Sequence, residues 1–149
     1  VLQVVNVVKT DNFTTTSTSY VDCTGLSVSI TPTSSTSQFL VSANLFLGGS
    51  TDNGPTIGQL VRDTTVLGNN TSSSSGNNAW ANSGSLLNNT SRAITHSSLS
   101  FLDAPATTSA LTYKIQVRVG SGGTGAVNKW TLNGDQVATS SITVMEIAA

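Results

Sequence analysis

Apolar and polar residues alternate along several short segments of this chain, and the alternation predicts β-strands. Between Tyr113 and Val119 every second residue is apolar, and the residues between them are Lys, Gln or Arg. The same two-residue period of apolar positions occurs in Leu26–Ile30 and in Phe39–Leu47. A period of two places one set of side chains on a buried face and the other set on the opposite face. No window shows sustained helical spacing, so the pattern predicts an all-β protein.

Turn residues separate the predicted strands at roughly even intervals. Pro32 and Gly48-Gly49 each end an alternating segment, and Asn133-Gly134 follows the strand-like residues 130–132. Val4–Val8 is apolar on both sides of Asn6, as in a strand that is covered on both faces. Further strands are predicted at 57–67, with a turn near 62–65, and at 93–102 and 142–147. About eight strands with this spacing favour an antiparallel β-sandwich or jelly roll.

The chain has the length of a single domain and contains one long polar segment. Its 149 residues fit the usual size of one domain, and no shift in composition divides them, so we predict one β-sandwich domain over 1–149. Residues 69–84 are mainly Ser, Asn and Gly, interrupted by Ala79, Trp80 and Ala81. Such a low-complexity polar segment is typical of a long surface loop.

Low charge limits the classes of function. Charged residues make up 9% of the chain, and the formal net charge is −1. Six basic residues spread along the sequence provide no positive patch for nucleic acid. No apolar run approaches the roughly 18 residues that span a bilayer, so we expect no membrane insertion. Weak repulsion between copies instead favours a protein that assembles with itself.

The sequence motifs that carry chemistry are weak. Gly120–Gly125 matches G-x-G-x-x-G, but β-like residues follow it where a dinucleotide site needs a helix, so we interpret it as a loop between strands. Cys23 is the single cysteine and is predicted to be a small core residue, and His96 is the single histidine. We therefore predict no catalytic residues, no cofactor and no metal site. A pair of carboxylates for glycoside cleavage has no local motif and stays a minor alternative.

Two tryptophans are the candidate contact residues. Trp80 stands alone in the polar segment, where an aromatic ring serves as an interface anchor or a sugar platform. Packing of the ring on the rim of its own sandwich is the alternative. Trp130 lies in a predicted strand and is expected in core or inter-subunit packing.

Two acidic residues are assigned structural roles. Asp103 and Pro105 are predicted to form a structural turn, in which Asp103 accepts backbone hydrogen bonds two residues on and Pro105 fixes its own φ. Glu146 falls on the same predicted strand face as the apolar residues 142 and 144. Because buried acids are normally paired, we expect it to pair with Arg62 or Arg118.

Three passages of the chain are informative when taken together. They are Val1–Val5 through Lys9-Thr10, with the Ser/Thr tract and Thr24–Pro32; Ser98–Pro105 into 107–110 and Tyr113–Ile115; and Ser140–Ile147. In this order they resemble a family of small bacteriophage virion proteins, abundant in aquatic phages and especially in those of cyanobacteria. Members are usually described as fibre or other virion structural proteins. The resemblance implies a jelly-roll-type sandwich, often trimeric, without catalytic residues.

These observations together predict a non-enzymatic protein on the virion surface. We expect a homotrimeric capsid decoration (cement) protein whose partners are its own copies and other virion proteins, the major capsid or tail protein. A tail-fibre head domain that binds a host surface glycan or protein is one alternative, favoured if Val1 marks a cut in a longer chain. A carbohydrate-binding module is another alternative, which rests on the loop aromatics alone.

Overall fold

The computed structural model describes residues 1–49, 55–70, 72, 79–82, 94–129 and 137–149. The regular elements in these ranges are strands, and no helix occurs there that could cross a bilayer. The strands form two antiparallel sheets. The predicted all-β class is therefore confirmed.

Within the described ranges, the first sheet has six strands arranged around one long central strand. Its strands are β1 (Gln3–Lys9), β2 (Phe13–Thr15), β4 (Gln38–Gly49), β8 (Ile94–Asp103), β10 (Gly125–Val127) and β11 (Ser140–Ile147). The order is β1-β11-β4-β10-β2, and β8 pairs with β4 as well. The first and last strands of the chain are therefore neighbours, with Val5 opposite Val144.

The second sheet has five strands in the part of the chain that the structure describes. They are β3 (Val21–Ile30), β5 (Thr56–Arg62), β6 (Thr65–Leu67), β7 (Ala81–Asn82) and β9 (Leu111–Val119), and the order is β3-β9-β5-β6 with β7 beside β5. The predicted turn near 62–65 joins β5 to β6, with Asp63 at φ 53°, a left-handed conformation that Asp tolerates. β7 lies inside the segment that the sequence assigned to a loop, and residues 71, 73–78 and 83–84 of that segment lie outside the described residues.

The core lies between the two sheets, and the two-residue period of the longest strands decides which side chains fill it. Phe39, Val41, Ala43, Leu45 and Leu47 of β4 are buried, as the alternation predicted. From the other sheet, β9 contributes the buried side chains Leu111, Tyr113, Ile115, Val117 and Val119. These residues belong mostly to one hydrophobic cluster that spans both sheets, so the packing is sandwich-like.

β1 departs from the sequence expectation. Val5 and Val7 pack against the core, but Val4 is 56% exposed and Val8 is 53% exposed. The predicted cover on both faces of this strand is therefore wrong for the chain by itself, because β1 belongs to one of two packed sheets and each sheet has only one face toward the core.

Two short strands were not visible in the sequence. β2 and β10 have three residues each, too few to show a period, and they form because β10 pairs with both β2 and β4. β10 begins at Gly125, the last glycine of the G-x-G-x-x-G match, so a strand follows that match and no helix does. Trp130 and Asn133-Gly134 lie outside the described residues.

Candidate functional site

A buried carboxylate connects the two sheets at the end of β8. Asp103 faces inward opposite Phe39, because it falls on the inner set of alternating positions of β8. Arg62 Nη1 donates to both of its oxygens at 2.6 Å, and the hydroxyl of Tyr113 donates to Oδ2 at 2.7 Å. Arg62 lies in β5 and Tyr113 in β9, so one carboxylate of the first sheet binds two strands of the second.

The environment of this cluster favours a structural role. The side chains of Asp103 and Arg62 are 8% and 19% exposed. Burial raises the pKa of the Tyr113 phenol far above its usual value, and the hydrogen bond to Asp103 adds to the shift, so the phenol stays a donor. The sequence predicted that Asp103 binds backbone amides two residues on, and the structure corrects this to two side chains of the opposite sheet. Pro105 follows the strand in a half-buried position.

A second buried carboxylate, Glu146, lies near the end of β11 and connects it to the start of β1 and to Thr33. Glu146 is 0% exposed and shares the inner face of β11 with Ile142 and Val144, as predicted. Its Oε1 accepts from Thr33 N and Thr33 Oγ1, both at 2.7 Å. Its Oε2 accepts from Gln3 Nε2 at 2.6 Å. The predicted pairing of Glu146 with Arg62 or Arg118 is wrong. Arg62 is bound to Asp103, the guanidinium of Arg118 lies at the Tyr20 ring, and neutral donors surround Glu146.

Opposing effects act on the pKa of Glu146. Burial raises the pKa, but the surrounding donors on Ser37, Thr33 and Gln3 outweigh burial and lower it to about 2. The geometry of the buried Ser37 hydroxyl falls short of a full hydrogen bond, so Thr33 and Gln3 provide the directed contacts. The carboxylate therefore stays charged without a cationic partner among its directed contacts.

Asn128 is a third buried polar group, directly after β10. It is 0% exposed and has φ 66°, in the left-handed region that Asn adopts more readily than most residues. Its Nδ2 donates to the carbonyl oxygens of Lys9 at 2.7 Å and of Asp11 at 3.0 Å, and its Oδ1 accepts from Ser140 Oγ at 2.6 Å. The side chain thus joins the segment after β10 to the ends of β1 and β11.

The nucleophile and acid–base candidates are placed apart from one another. Cys23 is 2% exposed, and burial raises the pKa of its thiol to about 12, so the sulfur is a poor nucleophile. His96 is exposed on β8 and stacks on Phe46, with 4.6 Å between ring centroids. In the ranges that the structure describes, no three His, Cys, Asp or Glu residues come together as metal ligands. The expected absence of a metal, a cofactor and catalysis stays a prediction.

Trp80 lies at the rim of the core. Its backbone N–H donates to the carbonyl oxygen of Gly58 at 2.9 Å, and its half-buried side chain packs against the core cluster. The ring also borders Gly68, where an added Cβ would lie 3.2 Å from Trp80 Nε1 and 2.9 Å from Phe101 Cδ2. Part of the indole therefore belongs to the chain's own core.

Sequence reasoning missed three of these polar contacts. Tyr113 was read only as an apolar position, although a buried tyrosine needs a partner for its hydroxyl. Asn128 and Thr33 have no local motif, and their respective partners Lys9 and Glu146 are more than one hundred residues away in the chain. One signal for these contacts does exist in the sequence. Asp103 and Glu146 are acids at positions where the alternation points inward, and a buried acid needs hydrogen-bond donors around it.

Comparison of the chain with protein-family models and with curated proteins finds no match.

Proposed function

We propose that this chain is a non-enzymatic structural protein of a bacteriophage particle, a jelly-roll subunit that assembles in threes and decorates the capsid surface. The main observation behind the proposal is that the buried carboxylates of Asp103 and Glu146 accept hydrogen bonds from other segments of the same chain and so connect those segments. The resemblance of three passages to phage virion proteins supplies the biological setting. The two antiparallel sheets, in which the first and last strands are neighbours, are compatible with a jelly roll.

A catalytic carboxylate must reach a substrate or a water molecule, so it must be accessible from solvent. Asp103 accepts three hydrogen bonds in a nearly closed pocket, and Glu146 accepts three more with no exposed surface. Such groups connect strands and do not turn over substrate. This arrangement suits a shell protein, in which the rigidity of the subunit is the useful property.

Mass spectrometry of purified particles of the phage that encodes this chain tests the proposal. A decoration protein is expected in a copy number comparable to that of the major capsid protein, and removing it should lower the temperature at which particles release DNA. Absence of the chain from particles, with its presence in the host cell lysate, would overturn the proposal.

A fibre head is the second candidate, and one observation favours it. Phe46 and His96 form a stacked aromatic pair with His96 exposed, and aromatic rings are common platforms for sugars. A fibre head would be present in far fewer copies per particle than the capsid protein. His96→Ala would then lower adsorption to host cells without changing particle stability, whereas a decoration protein would show neither low copy number nor loss of adsorption.

A further inference from the structure

The outer face of the first sheet carries no charge in its four long strands. β1, β11, β4 and β8 lie side by side in register, so their outward positions form one surface. We call this surface the neutral face. It consists of Val4, Asn6, Val8, Gln38, Leu40, Ser42, Asn44, Phe46, Ile94, His96, Ser98, Ser100, Leu102, Ser141, Thr143, Met145 and Ile147.

The charged residues of these four strands lie on the opposite side. Lys9, Asp103 and Glu146 are the only Lys, Arg, Asp or Glu of the four strands, and each is buried against the core. A sheet face in water normally carries charged side chains, which keep it solvated and discourage association of strands. The first sheet has the reverse arrangement, with charges inside and a neutral outer face.

The second sheet provides an internal comparison. On its outer face Lys114 donates to the exposed Asp22 at 2.9 Å. Arg118 points to the same side of β9 but is only 9% exposed, with its guanidinium 5.2 Å from the centre of the Tyr20 ring. The chain therefore places outward charges on one sheet and excludes them from the other. The small number of charged residues in the whole chain does not explain why the two outer faces differ, because both sheets come from the same sequence.

A row of apolar side chains crosses the neutral face near one end. Val4 lies opposite Met145, Met145 lies opposite Leu40, and Leu40 lies opposite Leu102. The two ends of the row are open to solvent, with Val4 56% and Leu102 52% exposed. Contiguous apolar surface with a polar surround is typical of a site where proteins meet.

We infer that the neutral face is the surface on which a second copy of this chain docks. The absence of charge on the neutral face indicates which kind of partner can dock there. An ordinary protein surface has charged groups that would find no counter-charge on this face and would lose solvation there. Another copy meets this face with an edge strand of its own first sheet, β1 or β8, whose charged residues are buried, and such a head-to-tail contact can close a ring of three. The net charge of −1 adds little repulsion between copies. The inference rests on the proposed function, since it names the contact through which the proposed subunits assemble.

Introduction of a charge at the end of the apolar row tests the inference. Val4→Glu places a carboxylate on the neutral face, and Val66→Glu makes the same change at a 46% exposed valine of β6 in the second sheet. The masses of the full chain and of both variants are measured by sedimentation over a micromolar concentration series. We expect the parent and Val66→Glu to sediment as multiples of 15.3 kDa, and Val4→Glu to show a dissociation constant raised about 100-fold or more.

Other outcomes overturn the inference in distinguishable ways. A parent chain that stays at 15.3 kDa refutes self-association, and an assembled Val4→Glu, or equal dissociation of Val66→Glu, refutes the neutral face as the contact. Circular dichroism checks the folding of each variant, and Leu102→Glu replaces Val4→Glu if that variant does not fold. Particle mass spectrometry tests the proposed function separately, because a chain present in particles but monomeric in solution retains the function and loses only this inference.

Discussion

At the scale of single residues, Asp103 connects the two sheets through Arg62 and Tyr113. In Asp103→Ala the Arg62 guanidinium and the Tyr113 hydroxyl lose their shared acceptor while they remain largely enclosed. The free energy of unfolding should fall by about 3 kcal/mol, because removal of one partner leaves a buried charge uncompensated. Urea denaturation measures the change.

Asp22→Ala is the matched control for that variant. Asp22 also pairs with a cation across strands, to Lys114, but its side chain is 57% exposed. Exposed ion pairs contribute less than about 1 kcal/mol, so the control should lose far less stability. Equal losses in the two variants would contradict the role that we give to burial of Asp103.

Two variants of Asn128 test the orientation of its buried side-chain amide. Asn128→Asp keeps the shape and the tolerance for φ 66° but puts a carboxylate oxygen against the carbonyl oxygens of Lys9 and Asp11. We expect a loss of about 3 kcal/mol at pH 7, since two hydrogen bonds become repulsive contacts in a buried place. Asn128→Gly, which keeps the backbone freedom and removes the hydrogen bonds, should lose less. Thermal melts of both variants would reveal a reversed order if the amide is placed differently.

Trp80 is expected to contribute to stability more than to assembly. Trp80→Ala removes a half-buried ring from the rim of the core, so it should lower stability by about 2 kcal/mol, and Trp80→Phe should restore most of it. The sedimentation mass should not change, since Trp80 belongs to the second sheet's side of the molecule and the neutral face to the first. A variant that melts normally and fails to assemble would instead support the interface role that the sequence suggested.

At the scale of elements, Glu146 ties β1, β11 and residues 31–37 together, and this tie depends on pH. The pKa of Glu146 is lowered to about 2 in the folded chain, below the usual value of 4.5. The folded state thus gains stability from the charged form at pH above about 4.5, and it loses that stability as the pH falls toward 2.

We expect Glu146→Gln to be less stable than the parent at pH 7 and to change less in stability between pH 5 and pH 2. Urea denaturation at a series of pH values measures both slopes. The acids Asp11 and Asp22, whose pKa values are lowered by hydrogen bonds from Lys9 and Lys114, remain in the variant, so some acid dependence will persist. Identical slopes in parent and variant would show that Glu146 does not contribute.

At the scale of the whole molecule, the neutral face predicts stability that depends on concentration. If folded copies associate and unfolded chains do not, mass action adds stability as the concentration rises. The melting temperature of the parent chain should therefore increase over a hundredfold range of concentration. Val4→Glu should melt at one temperature throughout, and a parent curve that is equally flat would argue against association.

The sequence predicted the long strands well and the short ones poorly. β4 and β9 have enough residues to show a period of two, so both the strands and their buried faces could be read from the pattern. β2, β7 and β10 have two or three residues, and pairing with longer neighbours creates them. The turn at Asp63 was visible because Asp and Thr interrupt an apolar run.

The sequence by itself determined the all-β class, the inward sides of β4, β9 and β11 and the burial of Glu146, because alternation along one strand is a local property. Only the tertiary structure decided the partners of the buried acids, since Arg62 and Tyr113 reach Asp103 from strands of the other sheet. It also decided that the uncharged positions of four strands form one face, because that depends on the register between strands distant in the chain. Local pattern sets which way a side chain points, and packing of remote segments sets what it meets.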